Sequence, residues 1–418
     1  MTSTASSLIP RRPRFWGRLA KFLAIMGPGI ITANVDNDAG GLATYSHAGA
    51  AFGLKYLWVL LPVGVALIMV QEMVNRMGIV TGEGLSSLIR ERFGARITFY
   101  LMVVLFLTNL GNVMAEFAGI ASAGALFGVP PWLSVPICAF LVWGLVLKYS
   151  YRSIERIFLI SCLFYVAYLV TAFLVKPDWA EVGRALVTPT FTPERADIVL
   201  ILGLIGTTIA PWMQFYQQAA VVEKNVGIEN LGYSKADTIV GGLAVNLVAA
   251  AIIVACGLTL FQAGVRVDTA AEAAGALEPL AGPWAGHLFA FGLWNASMFA
   301  ASILPLSTSY TVCEALGFER GLDHDYHGAP QFYILYTAAI VLGAAIVLVP
   351  GVDLMGVMIG SQVVNGLLLP VVLVFMLVLV NDRELMGEYA NSAWYNVVCW
   401  AVVAAVSGLS LVYVGTLF

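Results

Sequence analysis

The residues most able to do chemistry crowd into Asn34-Val-Asp-Asn-Asp-Ala-Gly-Gly41, in the middle of an apolar segment running from about Phe22 to Ala48. Asp36 and Asp38 bring two carboxylates, Asn34 and Asn37 two carboxamides, and Gly40 and Gly41 adjacent glycines. Charge and open backbone are costly in hydrocarbon, so this stretch is not ordinary membrane helix. It reads as a broken helix, which is tolerated where irregular backbone lines a cavity and which marks substrate or ion sites near the bilayer midplane. Half-helix ends supply partial charges, unwound backbone supplies carbonyl oxygens, and the carboxylates make a cation the preferred guest. A glycine kink with its carboxylates turned to a neighbouring helix is the plainer alternative.

The elements that must position this stretch are membrane spans. The chain is 60% hydrophobic and 11% charged, against about a quarter charged in soluble domains. Apolar stretches of bilayer length fall near 22–48, 54–75, 97–127, 132–149, 154–175, 197–221, 237–263, 284–315, 331–350, 354–380 and 393–416, which predicts eleven spans. With the amino terminus inside, 16 of the 21 Lys and Arg fall on inner segments, so a cytoplasmic amino terminus and an outer carboxy terminus are expected. Trp132, Trp179 and Trp284 then sit at the outer edge, and the basic head has no cleavable signal pattern. The five cysteines show no paired spacing and read as buried thiols.

A second break is expected in the sixth span, Gly203-Leu-Ile-Gly-Thr-Thr-Ile-Ala-Pro-Trp212. Pro211 has no amide hydrogen and obstructs the preceding turn, which opens the helix near Thr207 to Ala210. Spans one and six each open a block of five, and matching breaks in two halves point to an inverted repeat with its site between them. The expected organisation is a head over 1–21, a first repeat over 22–176, an outer linker over 177–196, a second repeat over 197–380, and a last span over 393–416.

Other polar residues fall inside spans. Glu116, close to Asn112 in the third span, is a proton carrier or cavity liner, or else a protonated group bonded to a neighbouring helix. Gln362 and Asn365 in the tenth span offer amide oxygens to a hard cation, or equally hydrogen bonds between helices. Glu314 lies near an inner helix end and reads as solvated or capping. No Lys or Arg lies deep in a span, which argues against an anionic guest. His47 and His287 lie only near span ends, and His324 and His327 belong to a polar loop, so a histidine-rich transition-metal site is not supported.

Several motifs resemble the Nramp family of divalent-metal transporters. They are Gly27-Pro-Gly29 with Asp38-Ala-Gly-Gly-Leu-Ala-Thr44, Met77-Gly-Ile-Val-Thr-Gly82 with the Leu-Ile-Arg-Glu-Arg-Phe that follows, Ala115-Glu-Phe117, the Pro211 break, and Ser361-Gln-Val363. They run over most of the chain in order. The resemblance implies an all-α polytopic fold of eleven transmembrane helices: the LeuT-type 5+5 inverted repeat, with broken first and sixth helices and one extra helix.

The resemblance also implies a site. Asp38 would be its single charged ligand and Gln362 an amide ligand or water anchor, with backbone carbonyls from Val35 and Thr207. Ala210, Gly41 and Trp212 would shape the pocket. Asp36 and Asn37 have no ligand counterpart in the family and are expected at the vestibule, holding waters. The chain departs from the family pattern where Gly41 replaces an Asn ligand, Ala210 a Met, Trp212 and Gln217 two His, and Val113 a third-span Asp.

A thioether favours soft metals, and its loss leaves a site for a harder ion that keeps part of its water shell, as magnesium does. The pattern resembles the Nramp-related magnesium transporters, and the expected activity is uncoupled, gradient-driven magnesium uptake by alternating access. The alternative is a proton-coupled manganese or iron importer. From another class, a membrane metal-sensing receptor is kept open, although no loop is long enough for a sensor domain. An enzyme is not expected, since no Ser/His, Cys/His or two-histidine metal arrangement lies in the spans. The protein is further expected to be a monomer in a prokaryotic plasma (inner) membrane, with the transported ion and the lipid bilayer as partners, no nucleic acid and no cofactor.

Overall fold

The computed structural model describes residues 27–148, 165–278, 282–322 and 326–416. The head, most of the fifth span, Cys162 and His324 lie outside the described residues. The first span is broken as its sequence requires. Helix α1 (Pro28–Val35) starts at a proline, whose missing amide hydrogen costs nothing in a first turn. The chain leaves the helix over Asp36 to Asp38 and re-enters one as α2 (Ala39–Phe52), with Asp38 as the capping residue.

The chain continues as α3 (Leu60–Thr81), α4 (Leu85–Phe93), α5 (Ala95–Leu126), α6 (Pro131–Lys148), α7 (Val166–Leu174) and α8 (Trp179–Val187). The sixth span is α9 (Arg195–Thr208) and α10 (Pro211–Glu223), parted at Ile209 and Ala210 with Pro211 at the head of the second half. After it come α11 (Leu231–Cys256), α12 (Ala270–Ala274), α13 (Ala285–Leu316), α14 (Pro330–Val347), α15 (Leu354–Val380), α16 (Arg383–Met386) and α17 (Ala393–Gly415).

Eight helical stretches among the described residues are long and apolar enough to cross a membrane, and Pro131–Leu147 is a shorter apolar helix. With the broken first span beside them and no strand among the described residues, the chain is an all-helical, multi-pass membrane protein.

Burial separates central helices from peripheral ones. The apolar window of α9 and α10 is 94% buried and that of α17 only 17%, which puts the broken sixth span in the core and the last span at the lipid face. The first span packs on α11, α5 and α15, while α5 packs on α13 and α9 on α15. Two breaks are thus held inside a frame of longer helices.

Three local features differ from expectation. Helix α4 is a short amphipathic helix with Leu85, Ser86, Leu88 and Ile89 buried, in the basic segment between the second and third spans, for which no element was expected. Helix α8 occupies the stretch read as linker and buries none of its residues. Glu314 is not solvated: it is 5% exposed, accepts from the Ser86 hydroxyl at 2.8 Å and pairs with Arg320 at 3.3 Å, tying α4 to the end of α13. The four described cysteines, Cys138, Cys256, Cys313 and Cys399, are buried and free, as read.

Candidate metal site at the helix breaks

Asp38 does two things at the first break. Its Oδ1 accepts the Gly41 amide hydrogen at 2.7 Å, which caps α2, and its carboxyl interacts directly with that of Glu116 on α5. Glu116 Oε2 accepts the Ala39 amide hydrogen at 3.2 Å. Two carboxyls therefore crowd the positive end of α2, where amide hydrogens and the helix dipole favour negative charge. Two neighbouring carboxyls make this a place that favours a cation.

Several buried polar atoms around this pair have no hydrogen-bond partner among the described residues: Asp36 Oδ2, both polar atoms of the Asn37 side chain, Thr207 Oγ1 and Glu116 Oε1. Buried polar atoms are nearly always satisfied, so a group of orphans at one break marks a place for water or an ion. Asp36 and Asn37, expected at an open vestibule, are 2% and 0% exposed. The Asn37 carbonyl also accepts from the Tyr165 hydroxyl at 3.1 Å.

The two breaks meet through glycine. A Cβ on Gly41 would lie 2.3 Å from the Asp36 carbonyl oxygen and 3.2 Å from Thr207 Oγ1. A Cβ on Gly40 would lie 1.9 Å from the Gln362 amide nitrogen. Absent side chains thus let the unwound chain, the end of α9 and Gln362 of α15 share one small space. Val35 ends α1 and Thr207 stands one residue before the end of α9, so both belong to the last helical turns, whose carbonyls lack partners within the helix.

On the far side of the second break, Ala210 caps α10 with a methyl group only. Its carbonyl accepts the Met213 amide hydrogen at 3.1 Å. Trp212 is fully buried against Tyr216, and its carbonyl accepts from the Ser307 hydroxyl at 3.3 Å. Gln217 points away from the break and donates to Thr238 Oγ1 at 3.2 Å. Asn365 makes the interhelical bonds that were one of its two readings, with Asn112 as partner.

Tyr45 and Asp237 also serve this region and were missed in the sequence. The Tyr45 hydroxyl bonds Thr208 Oγ1 at 2.9 Å, joining α2 to α9. Asp237 on α11 accepts the Gly27 and Gly29 amide hydrogens at 3.2 and 2.7 Å, holding the start of α1. A lone carboxylate at the start of an apolar span was the available signal for Asp237.

The sequence profile of the Nramp family, described as natural resistance-associated macrophage protein-like, matches residues 29–416. This chain belongs to the Nramp family. The divalent metal cation transporter MntH of Burkholderia ambifaria is 27% identical over 414 residues, covering 96% of this chain and 90% of its own. The protein of the same name from Bacillus subtilis is 25% identical over 408 residues, with 93% and 91% covered.

Among solved structures, the Eremococcus coleocola manganese transporter superposes with a TM-score of 0.78 at 21% identity, covering 98% of this chain and 89% of that one. Mhp1, a nucleobase-cation-symport-1 family transporter, gives a TM-score of 0.57 at 15% identity, with 93% and 89% covered. The Nramp fold, shared with LeuT-type transporters, is thereby established, and the protein is a transporter rather than an enzyme.

Within this Nramp chain, the donors near Asp38 are oxygens of carboxyl, carboxamide, hydroxyl and backbone groups. Among the described residues, no three His, Cys, Asp or Glu side chains gather as a ready metal cluster.

Proposed function

We propose that this chain carries a divalent metal cation across the membrane by alternating access, with the ion held between the breaks of the first and sixth spans. One observation carries the reading: the Asp38 carboxylate and the orphaned oxygens of Asp36, Asn37 and Thr207 converge where two half-helices end. Asp38 supplies the charge, the carbonyls of Val35 and Thr207 supply neutral oxygens, and the half-helices can tilt about the ion while the surrounding helices hold still. A divalent ion moving inward down an inside-negative potential of roughly 100 mV gains about 4 to 5 kcal/mol, enough to drive uptake.

The identity of the ion has two readings. The relatives named above are manganese or divalent metal cation transporters, and they favour manganese, the alternative in the sequence reading. Nothing in those relatives supports magnesium or a lack of proton coupling. Magnesium has one specific observation in its favour, the methyl group of Ala210 where the family carries a thioether. An all-oxygen site with few protein ligands suits an ion that keeps its own water.

Flux of manganese and of magnesium into proteoliposomes, with an internal pH reporter, separates these readings. Acidification in step with manganese uptake supports the coupled manganese importer. Magnesium flux without acidification supports the other. Saturable binding of either ion without flux would revive a receptor and overturn transport. The chain is further read as a monomer of the plasma membrane, and its charge distribution supports an amino terminus in the cytoplasm.

A further inference from the structure

Behind the site, three carboxamides are linked by hydrogen bonds. Asn112 Nδ2 on α5 donates to Asn365 Oδ1 on α15 at 3.0 Å, and Asn365 Nδ2 donates back to Asn112 Oδ1 at 2.9 Å. The second hydrogen of Asn365 Nδ2 goes to Gln362 Oε1 at 2.9 Å. Gln362 Nε2 donates to Ser361 Oγ at 3.2 Å, and the Ser361 hydroxyl donates in turn to the Met358 carbonyl at 2.9 Å. All three carboxamide residues are buried.

The direction of these bonds decides what Gln362 offers an ion. Its oxygen is held by Asn365, and its amide nitrogen is the atom that lies over Gly40. A carboxamide coordinates a cation only through oxygen, because its nitrogen carries hydrogens and has no lone pair to give. With Asn365 clamped by Asn112, turning the Gln362 oxygen to the site breaks one hydrogen bond and leaves an Asn365 N–H unpaired in the interior.

We propose that Asn365, braced by Asn112, is a positioning residue that withholds the Gln362 oxygen from the ion at Asp38 and so sets how much water the ion must shed. The inference rests on the site reading above and goes beyond it by assigning ion preference to a residue that touches no ion. While the lock holds, the ion meets one protein oxygen fewer. That favours magnesium, which gives up water reluctantly, over manganese. When the lock opens, Gln362 becomes a ligand and the preference moves toward the ion that sheds water more readily.

The test is manganese and magnesium uptake into proteoliposomes by the full chain, read as the ratio of the two apparent affinities. Asn365→Ala is expected to raise the manganese-over-magnesium ratio roughly five- to tenfold, the scale of one buried hydrogen bond. In a Gln362→Ala background the same substitution is expected to leave the ratio unchanged. A ratio unmoved by Asn365→Ala overturns the lock, and so does a shift that persists without Gln362.

Asn365→Asp keeps the shape if the alanine variant does not fold. Its carboxylate can only accept, one oxygen from Asn112 Nδ2 as before and the other from Gln362 Nε2, which turns the Gln362 oxygen outward and moves the ratio the same way, with the Gln362→Ala background correcting for the added charge. Asp38→Ala separates the two levels of the argument. Uptake that survives it refutes the site itself, whereas uptake lost with Asp38 and a ratio indifferent to Asn365 refutes the lock alone.

Discussion

The Glu116 carboxyl accepts the Ala39 amide hydrogen at 3.2 Å and meets the Asp38 carboxyl beside it. The third span thus supplies the floor on which the first break rests. Glu116→Ala leaves the Ala39 amide hydrogen unpaired in a buried place, at a cost of about 1 to 3 kcal/mol. Ion affinity measured by calorimetry in detergent is expected to fall roughly fivefold to a hundredfold on that scale. Glu116→Gln, which keeps an acceptor oxygen, is expected to recover most of the loss. Equal damage from both variants would show that charge, not the hydrogen bond, is what Glu116 contributes.

Restoring the family's Asn at position 41 is expected to harm this chain. The new Cβ would stand 2.3 Å from the Asp36 carbonyl oxygen, far inside van der Waals contact. Gly41→Asn should lower the thermal unfolding temperature and reduce uptake, although Asn is a competent ligand. Tighter ion binding in that variant would mean that the break readily adopts another path.

Asp237 acts at the start of α1. Asp237→Ala removes both acceptors for the Gly27 and Gly29 amide hydrogens and frees the start of α1. A loss of about 1 to 3 kcal/mol is expected, visible as a lower unfolding temperature. Limited proteolysis near residue 27 should speed up in the same variant. Asp237→Asn keeps one acceptor and should fall between the two.

Introducing sulfur at the second break tests the donor argument. Ala210→Met is expected to shift preference from magnesium toward manganese or cadmium by about tenfold, or ~1.4 kcal/mol. Competition between the ions for uptake gives the number. An unchanged order would remove Ala210 from the selectivity of the site.

Much of this architecture was legible because membrane physics writes it in large letters. Hydrocarbon tolerates neither Asp38 beside Gly40 and Gly41 nor Pro211 in mid-helix without a break, and both breaks are where the sequence puts them. Glu116 was legible for the same reason. Helix α4 was not, because its charged face resembles any inner loop and only its buried Leu85, Leu88 and Ile89 reveal a packed helix. Of the two readings of Glu314 the solvated one fails, because proximity to a helix end says nothing of the Ser86 and Arg320 that bury it, while the capping one holds, since its carboxyl takes up amide hydrogens at the start of α4. Asp237 and the Asn112–Asn365 pair depend on partners some 210 and 253 residues distant, a separation that no local pattern encodes.

The central claim is that Asp38 holds the transported ion at the junction of two broken helices. It is tested most directly by flux of manganese and magnesium into proteoliposomes carrying the wild-type chain or Asp38→Ala at equal protein density. Saturable flux in the wild type and none above empty liposomes in the variant is the expected result. Undiminished flux through Asp38→Ala would contradict it.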